Sequence, residues 1–387
     1  MNKDEWFSSR AKLGILGGGQ LGKMLLEEAI KMDISVAVMD PSEDCACADL
    51  TPYFTKGSLQ SFEDVVNFGK SLEVLSIEIE AVNTEALLEL KKQGVKVFPE
   101  PEAIALIQDK GAQKAFYTQH HLPTASFALW KNITELKLAL ENGKQRFPFV
   151  WKLCKGGYDG RGVRICRTLH DLEELPEQAC ISEDLVDFKM EFACIGARSP
   201  KGKMKCFPLV GMAFHPEANQ VEDVFVPFQM EANLAKQAEK ICMQLMEALD
   251  HKGLLAVEFF LTKAGTVLVN ECAPRPHNSG HIFSDVSQTS QFEQHLRAIC
   301  GLPLGSTKLH SAGIMVNLTG ESEYSGQVFY DGAAEALKIS GTHLHLYGKK
   351  ETRPFRKMGH VNVVAANLKT AEKKADKVRK LVKIKSK

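Results

Sequence analysis

Two short apolar runs, residues 254–261 (LLAVEFFL) and 266–271 (TVLVNE), are joined by Thr262-Lys263-Ala264-Gly265. Both read as strands, and a hairpin centred on Ala264-Gly265 sets Glu258 directly opposite Glu271. Carboxylates facing each other across a ladder repel unless positive charge lies between them. A hard divalent cation such as Mg²⁺ suits that place, because it takes one or two carboxylates together with substrate phosphates. The chemistry marked out is that of a nucleotide-using enzyme. The chain continues as Cys272-Ala273-Pro274-Arg275-Pro276-His277-Asn278-Ser279-Gly280-His281. His277 and His281 have the spacing of helical zinc ligands, but Pro274, Pro276 and Gly280 oppose a helix, which favours a substrate-contacting loop.

Two glycine-rich stretches could meet phosphate. Gly156-Gly157-Tyr158-Asp159-Gly160-Arg161-Gly162 lies between two strand-like runs, just after Lys152. No helix follows and no Gly-Lys-Ser/Thr is present, so this is not a P-loop. Four glycines in seven residues exceed what a hairpin turn needs and describe a flap whose amides close over phosphates. Lys152 would add point charge. Gly17-Gly18-Gly19-Gln20-Leu21-Gly22 contains G-x-G-x-x-G before a helix, with Asp40 ending the next strand, the pattern of a dinucleotide site. A nicotinamide, a flavin, a sugar phosphate or a purely structural tight turn explains it equally. Near the C-terminus, Lys349, Lys350, Arg353, Arg356 and Lys357 crowd a Pro-containing turn. A solvated loop and a phosphomonoester clamp account for these cations equally well. Glu183 and Glu191, taken alone, read as solvent-facing.

The elements that must position these groups fall into three parts. In residues 1–105 strands (13–16, 34–39, 74–79, 95–98) alternate with helices (21–32, 62–70, 83–93), which predicts a doubly wound parallel sheet. Residues 106–305 mix hairpins with helices. Strands 149–153 and 163–166 flank the glycine flap, 179–185 and 190–197 read as a further strand pair, and 233–249 is an amphipathic helix. Residues 306–387 form a small mixed domain ending in a lysine-rich helix over 371–382. The fold class is therefore α/β followed by α+β.

Lys+Arg and Asp+Glu number 48 each in 387 residues. Without a basic field, nucleic acid and membrane surfaces are disfavoured as partners and small molecules are expected. The N-terminus lacks the apolar core of a signal peptide and no window reaches membrane-span length. The ten cysteines are scattered without a CxxC, which fits reduced, mostly buried thiols in a cytoplasmic enzyme.

These pieces in this order resemble the ATP-grasp ligases: an N-terminal glycine-loop domain, a lysine before GGYDGRG, a Glu…Asn-Glu pair and a small C-terminal domain. Within them the chain is most similar to the branch that carboxylates 5-aminoimidazole ribonucleotide in de novo purine synthesis. The resemblance rests on residues 14–22, 156–162, 270–281 and 356–360 and spans about residues 12–365. It implies ATP between two β-layers, bicarbonate as co-substrate, Mg²⁺ (or Mn²⁺) as metal, carboxyphosphate as intermediate and a homodimer. Lys110 and Lys152 would contact the phosphates, under a flap of Gly157, Tyr158, Asp159, Gly160, Arg161, Gly162 and Val163. Glu183, Asp184, Leu185 and Val186 would hold the adenine and Glu191 the ribose, with His215 nearby. Glu258 and Glu271 would hold the metal, with Asn270 beside them. Gln20, the first glycine loop, Lys350 and Arg356 would surround the ribonucleotide phosphate, and His277 belongs to the substrate loop. Glu78, Tyr158, Asp159 and Arg161 would approach the aminoimidazole and the carboxylating agent, with Asp159 accepting the amine proton.

Three positions depart from the family pattern: Ser76-Ile77-Glu78-Ile79-Glu80-Ala81-Val82 stands for Thr-Tyr-Glu-Phe/Ile-Glu-Asn-Val, Phe355 for glycine, and Val163 for glutamine. Competing readings are a nicotinamide-dependent dehydrogenase, a formate-using purine transformylase or biotin carboxylase, and a non-catalytic nucleotide-binding regulator. The dehydrogenase leaves GGYDGRG and the opposed glutamates unexplained. The His-Asn-Ser-Gly-His and Arg-Lys-Met-Gly-His segments favour the carboxylating branch over the other ligases.

Overall fold

The computed structural model describes residues 6–7, 12–157, 162–215 and 220–387. Tyr158, Asp159, Gly160 and Arg161 lie outside the described residues. The chain opens with β1 (Leu13–Leu16), α1 (Gln20–Lys31), β2 (Val36–Asp40), β3 (Phe54–Lys56), α2 (Phe62–Gly69), β4 (Val74–Ile77), α3 (Thr84–Lys92) and β5 (Lys96–Val97). The strands form a parallel sheet in the order β3-β2-β1-β4-β5. β1 and β4 are buried at every position, because helices cover both faces of such a sheet. α2 and α3 start where the Ser61 and Asn83 side chains accept the amides of Asp64 and Ala86. The strand order reverses between β1 and β4, and open parallel sheets bind ligands at the carboxyl ends of strands beside such a reversal. Gly17 follows β1 and Glu78 follows β4 at that point.

Next come α4 (Pro101–Ile107), α5 (Lys110–Gln119), β6 (Phe127–Trp130), α6 (Ile133–Glu141), β7 (Phe149–Leu153), β8 (Val163–Cys166) and β9 (Cys180–Asp184). Their strands make a four-stranded antiparallel sheet, β6-β9-β7-β8. The chain then crosses to a second layer through β10 (Phe188–Arg198), β11 (Met204–Cys206), β12 (Val210–Phe214), β13 (Val221–Val226), α7 (Ala232–Ala248), β14 (Gly253–Thr262) and β15 (Val267–Ala273). The expected pairing of 179–185 with 190–197 is not found. β9 already has β6 and β7 on its two edges, so β10 joins the other sheet, against β14 and β12.

After α8 (Phe283–Val286) and α9 (Gln291–Ile299) come β16 (Ala312–Thr319), β17 (Gly326–Asp331), α10 (Ala333–Ala336), β18 (Thr342–Leu346), β19 (Glu351–Thr352), β20 (Lys357–Ala365), α11 (Leu368–Leu381) and β21 (Lys383–Ser386). β13 bonds β16, so one nine-stranded sheet, β15-β14-β10-β12-β13-β16-β20-β18 with β11 on β10, runs on into the C-terminal region. α7 packs its Ala238, Ile241, Cys242 and Leu245 face on β10 and β14, and α11 its Ala371, Ala375 and Val378 face on β16 and β20. No helix among the described residues is long and apolar enough to cross a membrane.

Candidate active site

The β14–β15 hairpin turns through Lys263-Ala264-Gly265. Thr262 N donates to Thr266 O at 2.9 Å, Gly265 N donates to Thr262 O at 3.0 Å, and Gly265 has φ +79°, the left-handed closing residue of a three-residue loop. From that turn the register runs Leu261↔Val267 to Phe259↔Val269, which would set Glu258 against Asn270. A bulge next to Glu258 shifts the ladder by one, and Glu258 meets Glu271. The expected opposition is present, built by an extra residue and not by the turn alone. The bulge releases Asn270, whose Oδ1 accepts Lys152 Nζ from the facing sheet at 3.0 Å. Glu191 lies on β10 two residues from Ala193, the partner of Glu258, so the strand period puts the three carboxylates on one face.

Lysines converge on this face from above. Lys110, the first residue of α5, ion-pairs with Glu271. Lys152, near the end of β7, reaches Glu183 Oε2 at 3.1 Å, and Lys114 reaches the same oxygen at 3.2 Å. Glu183 is 2% exposed, so its solvent-facing reading is wrong: two ammonium groups permit its burial. Its Oε1 has no protein partner. Lys110 holds the Glu271 carboxyl well below the usual range. Burial, with Glu271 and Glu191 close by, pushes Glu258 up. A crowded pair of which one member resists ionisation is what a divalent cation relieves, so the donor set fits Mg²⁺.

Glu191 is half-buried, and burial raises its carboxyl to about 7 against the pull of Lys152. The protein without nucleotide therefore binds an extra proton here between the ordinary value of 4.5 and about 7, and this contribution to stability is lost as pH rises through that window. The ribose hydroxyls that the resemblance assigns to Glu191 would donate to the ionised form. ATP binding is therefore expected to weaken as pH falls below about 7 and to release a proton. Calorimetric titration in two buffers of different ionisation enthalpy detects that proton, and Glu191→Gln should lower the number released below that of the parent; an unchanged number would reject the assignment.

The segment after β15 carries the site toward the N-terminal sheet. Arg275 Nη2 pairs with Glu80 Oε2 at 2.9 Å, and His277 Nε2 lies 3.7 Å from Glu258 Oε1. His277 caps a short 3₁₀ turn, Asn278–Gly280, while His281 turns inward, with Nδ1 2.9 Å from Gln291 Nε2 and its ring stacked on His360. The two histidines thus serve different neighbourhoods. Asn278 is 9% exposed, and neither its Oδ1 nor its Nδ2 meets a protein partner. A buried carboxamide without protein partners is completed by water or by ligand groups.

The first glycine loop holds its own anions. Gly18 N donates to Asp40 Oδ2 at 2.8 Å, and Gly19, Leu21 and Gly22 amides donate to the Glu78 carboxylate at 2.9, 3.1 and 3.0 Å. Burial pushes the Glu78 carboxyl up, against the pull of those amides and of Arg275. Gly17 has φ +100°, and a Cβ there would lie 2.5 Å from Glu78 Cγ, so glycine is required for the carboxylate to approach. A dinucleotide would find these amides taken, which removes the ground for the dehydrogenase reading. Gln20 is the part of the loop left to meet a substrate.

The C-terminal cations arrive over the same end of α1. Lys23 Nζ donates to Leu346 O at 2.7 Å, and Lys350 pairs with Asp44 beside the glycine loop. Arg356 stays on its own turn, Nη1 donating to Glu351 O at 2.7 Å. Phe355, where glycine is usual, has φ +60°, the left-handed conformation that explains that preference. Its ring meets His215 edge-on at 5.7 Å. Gly157, Gly162 and Val163 flank the stretch outside the described residues, and Asp184 ends β9 where Leu185 and Val186 begin the crossing to β10.

Lys114, Asn278, Lys23 and the Arg275–Glu80 pair were not identified from the sequence. Lys114 had a signal, since it shares the buried stripe Gly111, Gln113, Lys114 and Tyr117 of α5. A lysine on such a stripe needs a buried anion.

Residues 10–108 match the ribonucleotide synthetase preATP-grasp domain, 115–292 the ATP-grasp domain, and 313–374 the phosphoribosylaminoimidazole carboxylase C-terminal domain. The N5-carboxyaminoimidazole ribonucleotide synthase of Bacillus subtilis is 37% identical over 356 residues, covering 91% of this chain and 90% of the relative. The crystal structure of the Thermotoga maritima N5-carboxyaminoimidazole ribonucleotide synthetase superposes with a TM-score of 0.89 at 38% identity, covering 98% of this chain and 100% of that one. The Aspergillus clavatus N5-carboxyaminoimidazole synthase, solved with ADP and 5-aminoimidazole ribonucleotide, gives 0.87 at 30% identity, covering 96% and 98%.

Proposed function

The chain belongs to the N5-carboxyaminoimidazole ribonucleotide synthase family of ATP-grasp ligases, and from that premise we propose the following division of labour among its residues. The reaction is the ATP- and bicarbonate-dependent carboxylation of the exocyclic amine of 5-aminoimidazole ribonucleotide, a step of purine synthesis. The observation that supports the site assignment is the Glu258–Glu271 opposition beneath Lys110 and Lys152.

ATP lies between the four-stranded and nine-stranded sheets, with residues 183–186 at the adenine and Glu191 at the ribose. Lys110 and Lys152 face the phosphates. Each already holds an acidic or amide partner, so substrate phosphates enter a preorganised set of donors. Glu258 and Glu271 would hold Mg²⁺ or Mn²⁺, with Asn270 beside them; the metal supplies charge neutralisation of the phosphate oxygens. A bicarbonate oxygen bonds to the γ-phosphorus as the bond to ADP breaks, giving carboxyphosphate. The amine nitrogen of 5-aminoimidazole ribonucleotide then bonds to the carboxyl carbon, phosphate leaves, and the amine proton passes to Asp159. Glu78 and the His277–Asn278 loop approach the aminoimidazole, and Gln20, Lys350 and Arg356 its phosphate end. The functional unit is a homodimer in the cytoplasm, which equilibrium sedimentation and localisation of a tagged chain check.

The test is ADP release from Mg-ATP and bicarbonate with and without 5-aminoimidazole ribonucleotide. Strong stimulation by the ribonucleotide, lost on removing bicarbonate, is expected; turnover indifferent to it would reject the substrate. Lys350→Ala is expected to raise KM for the ribonucleotide about tenfold, as the loss of one charged phosphate contact, and to leave KM for ATP unchanged. Equal loss toward both substrates would remove Lys350 from the clamp.

A further inference from the structure

Cys194, Cys206 and Cys242 come from three elements, β10, β11 and α7, and their sulfurs all lie within 4.8 Å of one another. Among the described residues this is the one convergence of three or more His, Cys, Asp or Glu ligand atoms so close. Gly196 makes room for it. That glycine pairs with Cys206 across β10–β11, and a Cβ on it would lie 3.0 Å from Cys242 Sγ and 2.9 Å from Met246 Sδ. Cys242 and Met246 sit one turn apart on the face of α7 that covers β10. The Met246 thioether thus lies beside this group of thiols, of which Cys194 and Cys242 are buried and Cys206 half-buried.

We infer that these three thiols form a binding site for a thiophilic d¹⁰ metal ion, Zn²⁺ or Cu⁺, with the Met246 thioether or water completing the coordination. Sulfurs bound tetrahedrally at about 2.3 Å lie about 3.8 Å apart, so closure asks for about 1 Å of side-chain rotation. Soft thiolate and thioether donors select these ions over Mg²⁺, so the site does not compete for the metal of the phosphate chemistry. Cys206, the least buried of the three, supplies the way in. Strand alternation puts Cys194 on the opposite face of the sheet from Glu191 and Glu258. The ion would thus clamp the β10–β11 hairpin to α7 without touching the substrates.

The experiment uses the full chain, reduced, chelator-treated and handled without oxygen. Zn²⁺ is titrated against a chromophoric chelator, Cu⁺ against bicinchoninate, and Co²⁺ is followed by its thiolate charge-transfer absorption. One equivalent of strong binding is expected, weakened roughly a hundredfold or more in Cys206→Ser and Cys242→Ser but retained in Cys45→Ser, a half-buried thiol elsewhere. The tighter of the first two ions identifies the occupant. ADP release by Cys206→Ser should equal that of the parent. X-ray absorption of the loaded parent chain, which does not depend on any variant folding, should show three sulfurs near 2.3 Å. No stoichiometric binding, equal binding in Cys206→Ser, or an oxygen and nitrogen shell would each overturn the site.

Discussion

Glu271→Gln is expected to lower ribonucleotide-stimulated ADP release by about 10³-fold, near 4 kcal/mol of transition-state stabilisation. The carboxylate has two tasks that a carboxamide cannot perform. It balances Lys110, and with Glu258 it forms the only opposed acidic pair on the hairpin ladder. Neutralising it also removes the repulsion that raises Glu258, so Glu258 should ionise at lower pH in the variant. That second effect separates the assignment from simple damage to the fold: the acidic limb of the pH–rate profile should move downward while circular dichroism stays unchanged. Turnover within a few-fold of the parent would remove Glu271 from the metal pair.

Lys152→Met carries the next largest effect, a loss of about 10²- to 10³-fold in kcat/KM for ATP. Methionine keeps most of the volume of this 8%-exposed side chain, so the change isolates charge and hydrogen bonding. Lys152 ties Glu183 of its own sheet to Asn270 of the facing sheet. Its removal leaves Glu183 with Lys114 alone, which should cost about 1–3 kcal/mol of stability, read from urea unfolding. KM for the ribonucleotide should hold steady, since the proposed place of Lys152 is at the ATP phosphates. An unchanged kcat/KM for ATP would place the phosphates elsewhere.

The sequence disclosed most where local periodicity and a short connection settle the outcome. Alternating strands and helices predicted the N-terminal parallel sheet, and the strands β7 and β8 that flank the glycine flap have the expected bounds. What stayed hidden depended on long-range pairing. Glu258 and Glu271 meet as expected, but through a bulge at Asn270 that no residue pattern announces. Residues 179–185 and 190–197 looked like partners because they are short, apolar and close in sequence. Strand β9 had spent both edges on β6 and β7, which only tertiary structure decides. Likewise the first glycine loop suited a phosphate by its spacing. Its amides are filled by Glu78, nearly sixty residues away. Glu183 could be recognised as buried only once Lys114 and Lys152 were known to meet it.

Continuity of the nine-stranded sheet sets how the cleft can open. The hairpin bearing Glu258 and Glu271 is linked through β14, β10, β12, β13 and β16 to β20, next to the turn that carries Lys350 and Arg356. Those groups share an unbroken series of backbone hydrogen bonds and travel together. The four-stranded sheet with Lys152 and Glu183 is a separate hydrogen-bonded body, entered after α5 and left through residues 185–187. With residues 183–186 proposed for the adenine, a swing of that smaller jaw would hinge beside the base. Under the proposed assignments, ADP would then depart by displacement of that jaw alone, while the carboxylated ribonucleotide would stay seated on the larger body until its own contacts let go.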